Sequence, residues 1–444
     1  MISTEDFLIH ETVSMKDLKA KILPYRQQEA IRNQWLKERF ETVLPKVMKR
    51  SGIDFWVVAC NEYNEDPVLN TVVPVAMMTA RRLTILAFHL QEDGTVKRMS
   101  LARPNIGIDD YYTSVWTNRK GSVWADPNAK VPPEDQMECL ARIVRECDPK
   151  KIGLNMSTDF AFGDGLSHTL YTKIYEALDD KYKERVCSAE EVCVGWLETR
   201  TEKEMAAYTG IMQVAHAMIN EAFSSRVCHP GVSTNYDIKY FMMQSCIDLG
   251  LQPWFDFEVS IRRANVGTID EETTILPGDI LHCDVGFRYL NLCTDTQENA
   301  YVLKVGETDA PQYLQDALAQ VNRFPEITLS NFKEGRSGNE ILKLSLEQGF
   351  AEGLKPCLYT HPIGNHGHAA GPTIGLYDMQ QGVGGKNGTY PLYNDTAYSL
   401  ELNCTVDIKE WNTSFTLGLE TDVLFTNDET HYLAGRQENF HLIK

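Results

Sequence analysis

Apolar residues in the first 190 positions recur in two alternating patterns. Across residues 29–49 they fall at Ile31, Trp35, Phe40, Val43, Leu44 and Val47, the spacing of one helix face, with Pro45 as the place where the helix would bend. Residues 53–59 form a short, unbroken apolar run, which marks a buried strand, and residues 82–89 read as a second one. Helical spacing returns over 134–147, a strand pattern over 152–156 and a helix over 165–178. Helices alternating with strands predict an α/β layer domain over residues 1–190.

The texture then changes. Residues 202–224 form a long amphipathic helix, Pro230 and Gly231 break the pattern, and 234–249 resume it. Residues 255–261, 280–290, 296–303, 397–406 and 413–425 read as strands, with helices over 311–322 and 339–347 between them. This predicts an α+β domain with a curved antiparallel sheet over residues 191–444, the join falling between 185 and 196.

Composition narrows the function. A hydrophobic content of 43% allows a sizeable core and excludes disorder as the main state. The net charge of −19 argues against a nucleic-acid groove or a polybasic membrane patch and suits small or neutral partners. The acidic start, with Glu5, Asp6, Glu11 and Asp17, does not read as a signal peptide, and no stretch reaches the length of a membrane span. The 11 cysteines are odd in number and form no CxxC pair, so buried thiols in a reducing, cytoplasmic compartment are expected.

Chemistry concentrates in the second half. Asp284 follows the turn at Pro277-Gly278-Asp279, and Asp295 lies eleven residues further on. A hairpin turn near residues 289–291 would bring the two carboxylates together. Glu401 and Glu420 each sit inside an apolar strand pattern, and His361, His366 and His368 cluster within eight residues. An unpaired buried carboxylate costs several kcal/mol, so inward-facing acids of this kind need cations. Four carboxylates balance two divalent ions, and such ligands suit Mn, Co, Zn or Fe. Two metals can bind a bridging water, lower its pKa and clamp a tetrahedral intermediate.

The ordered set resembles the pita-bread metallopeptidase superfamily of methionine aminopeptidase, aminopeptidase P, prolidase and creatinase. The resemblance runs from Trp196 to Thr426. It rests on the lead-in between Trp196 and Met205, the turn Cys228-His229-Pro230-Gly231, the two aspartates at their interval of eleven, and the two late glutamates in order. The N-terminal half resembles the smaller α/β domain of the prolidase and creatinase branch, which methionine aminopeptidases lack. The resemblance implies that Asp284 chelates one metal, that Asp295 and Glu420 bridge both, and that His368 and Glu401 complete the other. Glu401 would also shuttle a proton. His368 matches the methionine aminopeptidase spacing, while His366 fits the shorter prolidase register. His361 or His366 would then contact substrate or orient a ligand. A homodimer is implied as well.

Two departures stand out. The family usually has a substrate-contacting histidine about twenty residues before the first aspartate. Here Arg262 and Arg263 lie nearest, and an arginine there could hold a substrate carboxylate. Gly375 stands where a second histidine, seven residues past the ligand, is expected, with Tyr377 and Asp378 nearby. The leading expectation is a dinuclear Xaa-Pro aminopeptidase or dipeptidase acting on short peptides. The alternatives are a creatinase-like hydrolase or lyase for a small charged metabolite and a catalytically inactive peptide-binding module. His282, on the strand of Asp284, is expected to be a core or ligand-orienting residue, His229 a turn residue, and Trp254 and Phe255 core packing. His10, His89, His168, His216, His431 and His441 are expected to be structural or on the surface.

Overall fold

The computed structural model describes residues 15–103 and 106–444; His10, Glu5, Asp6 and Glu11 lie outside them. The chain divides into two compact units. One is Tyr25–Thr201; the other joins Glu202–Lys444 with the described residues up to Pro24. The join therefore falls later than the expected 185–196. Residues 190–198 form a helix of the first unit, in which Val192, Val194, Trp196 and Leu197 are buried. Trp196 stacks on Phe40 at 5.7 Å, and the guanidinium of Arg39 donates to its carbonyl. Helix α1 (Met15–Lys21) belongs to the second unit, where Leu18 is buried and the Leu23 N–H donates to the Tyr289 hydroxyl at 2.9 Å.

In the first unit, α2 (Tyr25–Ser51) runs through Pro45 and buries Trp35, Phe40, Val43, Leu44 and Val47, as the spacing requires. The sheet has the order β4-β3-β2-β1-β5-β6. It is built from β1 (Phe55–Asn61), β2 (Leu83–Leu90), β3 (Val96–Ser100), β4 (Thr113–Ser114), β5 (Ile152–Leu154) and β6 (Val186–Ser188). Strands β1 and β2 pair antiparallel, whereas β5 joins β1 in parallel through the connection carrying α4. The helices are α3 (Leu69–Val72), α4 (Gln136–Cys147), α5 (His168–Ala177), α6 (Asp180–Lys183) and α7 (Glu190–Glu198). Asp135 and Glu138 close a capping box at the start of α4. Phe55, Val57, Ile85, Ile143, Val144 and Ile174 lie in the core between sheet and helices.

The second unit opens with α8 (Glu202–Ala222) and α9 (Asn235–Asp248), the latter capped by Thr234 and Asp237. Its main sheet is a curled antiparallel half-barrel with the path β14-β16-β17-β13-β10-β8-β9. A small sheet, β12-β11-β7, stands beside it. The strands are β7 (Gln252–Pro253), β8 (Glu258–Arg263), β9 (Gly267–Ile269), β10 (Ile280–Val285), β11 (Phe287–Tyr289), β12 (Leu292–Cys293) and β13 (Thr296–Val302). They continue with β14 (Pro356–Leu358), β15 (His361–Pro362), β16 (Thr396–Ile408), β17 (Thr413–Thr426), β18 (Glu429–Tyr432) and β19 (His441–Ile443). The expected long strand over 280–290 is split, because β11 leaves the main sheet to pair with β7 and β12. The expected hairpin is present: Leu290 and Asn291 have φ of 52° and 65°, the left-handed pair that a tight two-residue turn needs. Helices α10 (Gln312–Ser330), α11 (Gly338–Ala351) and α12 (Gly385–Thr389) complete the unit. Leu314, Leu318, Val321 and Ile341 from the first two pack with Leu400, Leu402, Leu417 and Leu419 of β16 and β17. All eleven cysteines are free thiols. Among the described residues, no helix is long and apolar enough to cross a membrane.

Candidate metal centre

Strand register assembles the site. Asp284 lies opposite Gln297, Gln297 opposite Glu420, and Glu420 opposite Glu401. Directly opposed residues share a sheet face, so these four side chains form one row across β10, β13, β17 and β16. Alternation adds a second row: Asp295 precedes Gln297 by two, Asp422 follows Glu420 by two, and Ser399 lies opposite Asp422. His361 on β15 lies opposite Ser399 and joins that row.

Three groups of potential ligand atoms lie within 4.8 Å of one another: Asp284, Asp295 and Glu420; His361, Glu401 and Glu420; and Asp295, His361 and His368. His361 is buried, and its Nδ1 lies 3.0 Å from the Pro362 carbonyl oxygen. A carbonyl only accepts, so Nδ1 carries the proton and Nε2 presents a lone pair. That lone pair faces carboxylate oxygens of Asp295, Glu401 and Glu420 at 3.6, 3.8 and 3.9 Å, beyond hydrogen-bond reach. Burial, with His368 beside it, pulls His361 down to about 3, which keeps it neutral, the form that binds a metal.

The carboxylates show the matching perturbation. Burial first, then mutual repulsion, holds Asp284, Asp295 and Glu420 well above the usual carboxylate range. Burial pushes Glu401 up to about 7, against the hydrogen bonds it receives from Tyr377 and Gln297. Asp284 Oδ1, Glu420 Oε2, Asp422 Oδ1 and His361 Nε2 are buried polar atoms without a hydrogen-bond partner. Four such atoms in one place, all lone-pair donors, fit divalent cations of the Mn, Co, Zn or Fe type.

The expected residues divide. Asp284, Asp295, Glu401 and Glu420 converge. His361, expected to contact substrate, is the imidazole turned fully inward. His368 is exposed at the rim and enters one of the three ligand groups, with its ring 4.6 Å from that of His361. His366 enters none of them. Arg263 is held bidentately by Asp279 at 2.7 and 2.8 Å, which removes it from any substrate role. Arg262 lies on the sheet face of Asp284, donates to the Ser260 hydroxyl at 2.6 Å, and among the described residues makes no ion pair. Gly375 has a φ of 77°, and a Cβ there would lie 2.1 Å from the Leu358 carbonyl oxygen, so no side chain fits. His282 is half-hidden in the sheet face and, held down to about 3 by burial and Arg262, lies 3.0 Å from Gln297 Oε1. Trp254 packs 5.3 Å from His368 and donates to the Thr294 carbonyl, beside Asp295.

Gln297, Tyr359 and Asp422 were not anticipated from the sequence, and Tyr377 was noted only as a neighbour of Gly375. Gln297 and Asp422 were within reach, because each lies two residues from a candidate ligand on a strand. Tyr377 lies between strands, where no periodicity reports direction. Tyr359 packs against His361, His368 and Tyr377 at 5.3, 6.0 and 5.4 Å.

The sequence model of metallopeptidase family M24 matches residues 207–427. No curated protein matches the chain significantly. Among solved structures, an X-Pro aminopeptidase from Thermotoga maritima is similar at a TM-score of 0.61 and 16% identity, covering 89% of this chain and 99% of its own. A dipeptidase from Mycobacterium ulcerans gives 0.57 at 14% identity, with 92% and 98% covered. Zinc-substituted aminopeptidase P from E. coli, in complex with product, gives 0.54 at 14% identity, with 93% and 95% covered. With carboxylates and an imidazole converging on the concave sheet and the family match spanning the strands that carry them, this chain belongs to metallopeptidase family M24 and has the two-domain pita-bread architecture of the Xaa-Pro peptidases.

Proposed function

We propose that the protein is a two-metal peptidase that hydrolyses the amide bond preceding proline at the N-terminal end of short peptides. Asp284, Asp295, His361, Glu401 and Glu420 would hold the ions in this reading. The observation that carries it is the His361 lone pair aimed at three carboxylates. Taking His361 as the ligand also resolves one departure in the sequence, because His368 then stands seven residues past it. Bound divalent cations supply a water of lowered pKa and a polarised carbonyl.

The chain's own groups do the rest. Glu401 Oε2 faces the ligand cluster; it accepts the proton of the attacking water and returns it to the departing nitrogen. His368, at the rim, donates to the substrate carbonyl. Trp254 and Tyr359 flank His368 and form an aromatic wall suited to a pyrrolidine ring. Arg262 receives a substrate carboxylate. The test is a panel of Xaa-Pro and Xaa-Ala di- and tripeptides, offered to protein loaded with Mn, Co or Zn. Selective release of the residue before proline is expected. Failure to cleave any peptide with any of the three metals would overturn the reading.

A further inference from the structure

Glu401 has two oxygens in different surroundings. Oε2 faces His361, whereas Oε1 accepts two hydrogen bonds, from the Tyr377 hydroxyl at 2.7 Å and from Gln297 Nε2 at 2.8 Å. Gln297 Nε2 also lies 3.5 Å from Asp284 Oδ2. The orientation of this amide is compelled, since a flip would set its oxygen against two carboxylates. Its oxygen, on the far side, meets His282 Nε2 at 3.0 Å. His282 is held in turn by the absence of a side chain across the sheet: a Cβ at Gly418 would come 3.0 Å from Gln297 Oε1 and 3.1 Å from His282 Nε2.

We propose that Gln297 and Tyr377 are positioning residues for Glu401. Together they engage one carboxylate oxygen and leave the other to face the ions and the attacking water. This rests on the two-metal peptidase reading above. A carboxylate on its own could rotate about its last side-chain bond and tilt its plane away from the ions. Two donors on one oxygen hold that plane, because a partial rotation breaks both bonds. The Gln297 arm is braced by His282 and gains its space from Gly418. The Tyr377 arm comes from a residue that is 49% exposed, although its hydroxyl donates to the buried Glu401. Both reach the site through the same Glu401 oxygen.

The test compares Gln297→Met, Tyr377→Phe, the double variant and Gly418→Ala with the unaltered chain. Two readouts are used: Mn²⁺ binding by calorimetry and hydrolysis of an Xaa-Pro peptide. Loss of a hydrogen bond to a charged group corresponds to about a tenfold change. Each single variant should lower kcat about tenfold with KM within twofold. Each should also weaken the ion that shares Glu401 about tenfold and leave the other ion unchanged. Gly418→Ala should resemble Gln297→Met and add nothing to it. Tyr377→Phe removes one oxygen from a half-exposed ring and should fold, so it decides the matter if a buried variant does not. Unaltered kcat and unaltered affinity for both ions in Tyr377→Phe, with an active parent protein, would refute the positioning role and leave the peptidase reading intact. A parent protein that binds no Mn²⁺ would refute the underlying reading instead.

Discussion

Behind the metal centre, on the opposite face of β13 from Gln297, a buried carboxylate ties three elements together. Glu298 is paired through one oxygen with His216 of α8 and through the other with His441 of β19. Burial alone would raise its pKa, but the two imidazoles outweigh it and pull the carboxyl down to about 2, from 4.5. A carboxyl with a depressed folded pKa stabilises the native state above its unfolded pKa. That contribution is lost as pH falls from about 4.5 toward 2, because the unfolded chain binds the extra proton in that window. The difference corresponds to about 3 kcal/mol at pH 7. Glu298→Gln removes the charge, and the amide turns a donor toward one of the two rings. The expected result is a loss of about 3 kcal/mol at pH 7, with the gap from the parent narrowing below about pH 4.5. Native-state hydrogen exchange of the β13 and β19 amides is the suitable assay, since a chain of two compact units need not unfold in one step. A variant within about 0.5 kcal/mol of the parent at pH 7, or a gap that does not change with pH, would refute the reasoning.

Other consequences are equally direct. In the first unit, burial pushes Asp66 up to about 6 from 3.8. There the native state binds the extra proton, so stability should rise by up to about 3 kcal/mol as pH falls from 7 to 4, and Asp66→Asn should flatten that slope in a pH series of thermal melts. At Gly375, Ala combines a left-handed backbone with a Cβ 2.1 Å from a carbonyl oxygen, so Gly375→Ala should cost more than about 2 kcal/mol by urea denaturation; a neutral effect would contradict the geometry. His361→Ala should lose one equivalent of bound metal by elemental analysis, whereas His368→Ala should keep the stoichiometry and lose turnover. The opposite pattern would restore His368 as the ligand.

Much of this was legible in the sequence, for physical reasons that differ by element. Long amphipathic helices such as α2 and α8 announce themselves because burial on one side forces a period near 3.6. The short strands β3, β4 and β6 did not, since five residues or fewer carry too little pattern. Carboxylates inside apolar strands pointed to Asp284, Glu401 and Glu420, because burial of such groups demands a partner. The histidines were harder. Spacing favoured His368, whereas the pairing of β15 with β16 turns His361 inward and the Pro362 carbonyl selects its tautomer. Both facts depend on strand register, which spacing alone does not report. The unit boundary was misplaced because α7 is apolar on most sides and gives no sign of which core it joins.

The central claim is that this cluster of acids and one imidazole is a cation site. The most direct test adds Mn²⁺ to metal-free protein in weakly buffered solution while recording ions bound and protons released. The raised pKa values of Asp284, Asp295, Glu401 and Glu420 mean that cations displace protons on binding. Two ions per chain are expected, with more protons released at pH 6 than at pH 8.5. Binding without proton release at pH 6, or no binding at all, would contradict it.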